Sequence, residues 1–110
     1  MKLRDGIAEF LISLSAERGL ASNTVAAYRR DLAQYAEFLG VAEALDPGPD
    51  LDAITPELAS EFMAALDGRN LKPGTIGRNM AAVSGLHRFL FAEVYAASDP
   101  TAGLDTPRRG

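Results

Sequence analysis

Ser22-Asn23-Thr24-Val25-Ala26-Ala27-Tyr28-Arg29-Arg30-Asp31-Leu32-Ala33-Gln34-Tyr35-Ala36-Glu37-Phe38-Leu39-Gly40 sets Val25, Tyr28, Leu32, Tyr35 and Leu39 alternately three and four positions apart. That is the period of an α-helix burying one face, and Gly40 stands where a left-handed stop residue belongs. Ser22 is chemically a better N-cap than Ala21.

The same period recurs on both sides. Upstream, a helix over about Leu3–Arg18 places Leu3, Ile7, Phe10, Leu11 and Leu14 on one stripe before Gly19. Downstream, Pro47, Gly48 and Pro49 mark a loop over 41–54. Thr55-Pro56-Glu57 then opens a third helix, with a hydroxyl cap, Pro at the first position and an acid in the first turn. Leu58, Phe62, Ala65 and Leu66 form its stripe, and Asp67-Gly68 closes it. A fourth helix runs from Pro73 to about Val94, with Ile76, Met80, Val83, Leu86, His87, Leu90 and Val94 inward. No segment sustains strand alternation, so the fold class is all-α, a compact four-helix bundle. The bundle is expected over residues 1–98, with Asp99-Pro100 opening an extended linker over 99–110 that ends Thr106-Pro107-Arg108-Arg109-Gly110.

The charge is segregated. Nine acids (Asp31, Glu37, Glu43, Asp46, Asp50, Asp52, Glu57, Glu61, Asp67) occupy 31–67 without a Lys or Arg. Residues 68–92 then hold Arg69, Lys72, Arg78, Arg88 and His87 without an acid, and Arg29-Arg30 forms a second basic spot. A net charge of −4 argues against nucleic acid only until the charges are mapped, because local field decides where a phosphate docks. On helical wheels the outer face of the second helix carries Asn23, Ala26, Ala27, Arg30, Gln34 and Glu37, with Arg29 on its flank. The outer face of the fourth carries Arg78, Ala81, Gly85, Arg88 and Ala92, with Thr75 and Ala82 to one side. Small residues interleaved with Arg and amides suit a helix entering a DNA major groove. They also suit a solvated helix, the commoner meaning of a basic helix face, since Ala and Arg are good exposed helix formers.

Other chemistry finds little purchase. The absence of cysteine excludes a disulfide framework, a thiolate zinc site and a Cys nucleophile. His87 sits on an apolar stripe as a structural histidine, with no second His to complete a metal site. The acidic loop matches no calcium-loop spacing. Tyr28 and Tyr35 belong to the core stripe, and Tyr95 has no base beside it. No catalytic residue, cofactor or metal is expected. No spanning segment or signal sequence is evident, so a cytoplasmic protein without membrane contact is expected. Phe89 and Ile12 point away from their stripes, which leaves room for a helical protein-interaction module without nucleic-acid binding.

At the outer faces the chain resembles a known family. Leu20-Ala21-Ser22-Asn23-Thr24-Val25-Ala26-Ala27-Tyr28-Arg29-Arg30-Asp31-Leu32 is similar to the second-helix signature of bacterial tyrosine recombinases of the XerC/XerD type. Lys72-Pro73-Gly74-Thr75-Ile76-Gly77-Arg78-Asn79-Met80-Ala81-Ala82-Val83 resembles their second motif, although Lys72-Pro73 replaces a usual Ser and Ser84 a frequent Arg. The resemblance implies an N-terminal core-binding domain whose second and fourth helices clamp duplex DNA. It implies DNA contacts from Asn23, Thr24, Arg29, Arg30, Lys72, Thr75, Arg78 and Arg88. It also implies catalysis in a separate C-terminal domain and other recombinase protomers as partners, a tetramer on DNA. Chromosome dimer resolution is the implied role, with phage or mobile-element integration the alternative.

Overall fold

Four helices carry the fold in a computed structural model that describes residues 1–43 and 45–104: α1 (Leu3–Ile12), α2 (Ser22–Phe38), α3 (Pro56–Asp67) and α4 (Pro73–Ala92). Among the described residues there is no strand, only an isolated antiparallel bridge between Lys2 and Asp50. The expected stripes of α1 and α2 close on one another: Leu3, Leu14, Leu32 and Tyr35 are fully buried, together with Phe62 and Leu66 of α3 and Leu86 and Leu90 of α4. α2 packs most extensively on α4, and α1 lies against both. The Tyr35 ring meets Phe62 at 5.0 Å between centroids, which ties α3 to α2. Each such side chain contributes roughly 1.5–3 kcal/mol by leaving water.

The loop over 41–54 is strapped to the start of α1. Leu3 N–H donates to the Pro49 carbonyl, and Arg4 N–H to that of Pro47, so two amides that a helix start leaves without partners are satisfied. Asp46 pins the loop from within by accepting from the Ala42 and Gly48 amides, which hold its carboxyl below the ordinary range. Leu51 and Ile54 are buried beneath the strap.

Helix ends follow the sequence in part. Thr55 caps α3 by accepting from Leu58 N–H, with Pro56 in the first turn. The cap of α2 is Ala21 rather than Ser22, which is already helical, and no side chain bonds that end. The first helix keeps its α form only to Ile12; Ser13–Glu17 continues as a π turn closed by Arg18 N–H on the Ser13 carbonyl. Widening that turn lets Ser13 and Leu14 both face inward.

Four expected orientations are corrected. Val94 is not an inward residue of α4: the helix stops at Ala92, Val94 takes φ +63°, and its side chain is 85% exposed. On α3 the buried stripe is Ala59, Phe62 and Leu66, with Leu58 and Ala65 turned outward of it, because Ala59 lets the helix approach closely. Gly85 does not face solvent; a Cβ there would stand 3.2 Å from the Phe10 ring of α1. Ala82 is fully buried. Phe89 widens the core by stacking on Phe10 at 5.6 Å, whereas Ile12 stays 57% exposed. His87 is buried as expected, with Nε2 2.7 Å from the Tyr35 hydroxyl.

Asp99 opens a turn by accepting from Thr101 N–H and Oγ1, and Pro100 and Thr101 are buried. Thr106, Pro107, Arg108 and Arg109 lie outside the described residues.

Candidate nucleic-acid interface

α2 presents Asn23, Arg30 and Gln34 on one exposed stripe, with Thr24 exposed beside it. Arg69, in the turn before α4, donates from Nη1 to Gln34 Oε1 at 3.5 Å. That contact brings a second cation to within one turn of Arg30. Three residues further on, Lys72 is the exposed N-cap residue of α4 and makes no side-chain capping bond. Thr75 is half-buried, and its carbonyl accepts from Asn79 Nδ2. Along the open arc of α4, Gly74 has nothing within 4 Å of where a Cβ would stand. Ala81 and Arg88 continue that arc, both exposed. The backbone of α4 is therefore approachable, flanked by cations at its start and along its length.

Arg29 and Arg78 sit elsewhere. Arg29 is exposed but lines clefts of about 350 and 280 Å³ between α1 and α2, beside Arg4, Glu37 and Asp46 in one and Ile12 and Ser15 in the other. Arg78 turns into the α2–α4 seam, where Nε and Nη2 donate to Asp31 Oδ2 and Oδ1 at 2.7 and 2.9 Å. Asp31, expected with the outward acidic block, is 1% exposed. The bonds to the Asp31 carboxylate raise the Arg78 pKa above its ordinary value, so the guanidinium stays charged.

Arg69 is the residue that site reasoning passed over. It lay in the basic run, but helical wheels exclude a turn residue, and only the Gln34 contact places it beside α2. Glu57 and Glu61 of α3 line a cleft with Pro56, Ser60 and Leu104. Among the described residues no group of three or more His, Cys, Asp or Glu could hold a metal ion, and no helix is long and apolar enough to cross a membrane.

Residues 7–94 match the family described as phage integrase, N-terminal SAM-like domain. The chain is 41% identical over 101 residues to the tyrosine recombinase XerD of Bradyrhizobium diazoefficiens, covering 92% of this chain and 30% of that protein. It is 38% identical to the XerD of Agrobacterium fabrum, over 97% of this chain and 31% of the relative. It is 34% identical to that of Staphylococcus aureus, over 93% and 33%. The chain thus spans about a third of the length of the curated relatives it matches. No solved structure matches it.

Proposed function

Since the chain belongs to the phage integrase N-terminal SAM-like domain family, we propose that it is the DNA-gripping part of a XerD-like site-specific recombinase. The outer faces of α2 and α4 hold the duplex, and the observation that carries this is the contact of Arg69 with Gln34, which joins the exposed stripe of Arg30 and Gln34 to the turn that leads into Lys72 and α4. Gln34 has the chemistry to read a base edge, while Arg30, Arg69, Lys72 and Arg88 neutralise phosphates. Asn23, Thr24 and Thr75 supply hydrogen bonds at the helix starts. A body of 36 × 31 × 27 Å covers about one turn of DNA, so one copy occupies one half-site.

Strand cleavage and exchange would then belong to the other two thirds of a relative-sized protein, acting as a tetramer with further protomers on the site, in the cytoplasm. Resolution of chromosome dimers is the role we assign, over integration of a mobile element. A protein-interaction reading loses Phe89, which packs against Phe10 at the edge of the core, and keeps Ile12, which is exposed together with Phe91 and Val94.

The test is binding to duplex DNA as salt is varied. Four cations on phosphates predict a log–log slope of about −3.5. A flat response, or no binding at low ionic strength, would sink the reading.

A further inference from the structure

Among the described residues Arg78–Asp31 is the one salt bridge that joins two helices. It is also unequal. Asp31 is buried at 1% exposure with both oxygens held by one guanidinium, while the Arg78 side chain is 38% exposed at the seam of α2 and α4. We propose that Arg78 is a positioning residue for the DNA-gripping face, closing on buried Asp31 to fix the placing of α4 against α2 and making no phosphate contact of its own. The inference rests on the DNA reading above.

Three physical points lead there. To reach a phosphate, Arg78 would have to leave a carboxylate that has no other partner and no water-facing surface, and stranding a buried charge costs far more than an exposed ion pair returns. The closed pair is neutral, so it adds nothing to the field that draws DNA in. A two-pronged guanidinium–carboxylate contact fixes orientation as well as distance, which a single ammonium contact does not. The second polar tie between the helices, Tyr35 to His87, lies one turn further along α2 and nine residues further along α4. Two ties at different points fix a rotation, and that rotation decides whether Arg30 and Arg88 meet the same duplex.

Asp31→Asn separates the possibilities because its sign differs. Removing a negative charge beside a direct DNA contact frees Arg78 and leaves binding equal or tighter. Removing half of a positioning pair weakens it. The experiment measures binding of this chain and its variants to a mixed-sequence DNA duplex across a salt series, with circular dichroism read alongside. The expected result is about tenfold weaker binding by Asp31→Asn at full helicity, with the salt slope unchanged. Equal or tighter binding overturns the inference. If Asp31→Asn loses its helical signal, Arg78→Lys decides, since it keeps the charge and loses the fork. Weaker binding by Arg78→Lys at an unchanged slope supports positioning, and unchanged binding overturns it. Failure of the unaltered chain to bind at all overturns the DNA reading itself, a result distinct from either.

Discussion

Burial pushes the imidazole of His87 down from 6.5 to about 4, against a weaker opposing pull from Asp99. The same burial pushes the Tyr35 phenol well above its ordinary value. Both groups therefore stay neutral at physiological pH, and His87 Nε2 shares a 2.7 Å hydrogen bond with the Tyr35 hydroxyl. The linkage has one sign. In the unfolded chain His87 takes up a proton near 6.5, while the folded chain resists until about 4, so protons drive unfolding between these values. Stability from this site is complete above pH 6.5 and falls by about 3 kcal/mol on descending to pH 4, at 1.36 kcal/mol per pKa unit. Thermal unfolding followed across that window shows a falling midpoint in the unaltered chain. His87→Phe, whatever its own cost, flattens that dependence, and an equally steep fall in His87→Phe would remove the assignment. His87 was legible as structural because it shares a stripe with Leu86 and Leu90. Asp31 was not legible, because its partner lies 47 residues away and no local pattern links them.

The helices themselves were readable because buried faces recur at three and four, and α1 and α2 bury the stripes their sequences mark. Where reading failed, the side chain involved was small or oddly placed. Ala59 replaces Leu58 in the buried face of α3 because a methyl group permits close approach, a preference that ranking by hydrophobicity hides. Gly6 and Gly85 let α1 and α4 approach: a Cβ at Gly6 would stand 3.2 Å from both Leu90 methyls and 3.3 Å from a Leu51 methyl. Gly6→Leu should therefore overpack this crossing and cost about 2 kcal/mol, read as a lower denaturant midpoint at unchanged slope. At the end of α4 the reverse change helps. Val94 holds φ +63° in the cap position, with Tyr95 N–H donating to the Leu90 carbonyl, the place Gly40 fills after α2 with φ +100°. A β-branched residue is strained there, and its exposed side chain recovers nothing by packing. Val94→Gly should raise stability by about 1 kcal/mol, with the gain in strain exceeding the entropy glycine adds to the unfolded chain. An unchanged or lower melting midpoint would contradict it.

Across the whole molecule, the proposed function requires a net charge of −4 to coexist with a surface that attracts phosphate. Distance and screening reconcile them. Glu57 lies ten residues before the end of α3, about 15 Å along the helix from the turn where Arg69 meets Gln34. Charges that far apart are largely screened at 0.1 M salt, where the Debye length is about 10 Å, but they interact at 0.01 M, where it is about 30 Å. Glu57 should therefore oppose DNA binding only in dilute salt. Glu57→Gln should tighten binding by about twofold near 0.01 M and leave it unchanged near 0.15 M, so that the log–log salt plot steepens at its dilute end alone. Arg30→Ala should instead weaken binding at every salt concentration and lower the slope by about 0.9, one phosphate's worth of released counterion. Each variant alters net charge by one unit, so a protein that answered only to its total charge would respond to both over the same salt range and to the same extent. A response split by salt range is what separated acidic and basic surfaces on one small body require.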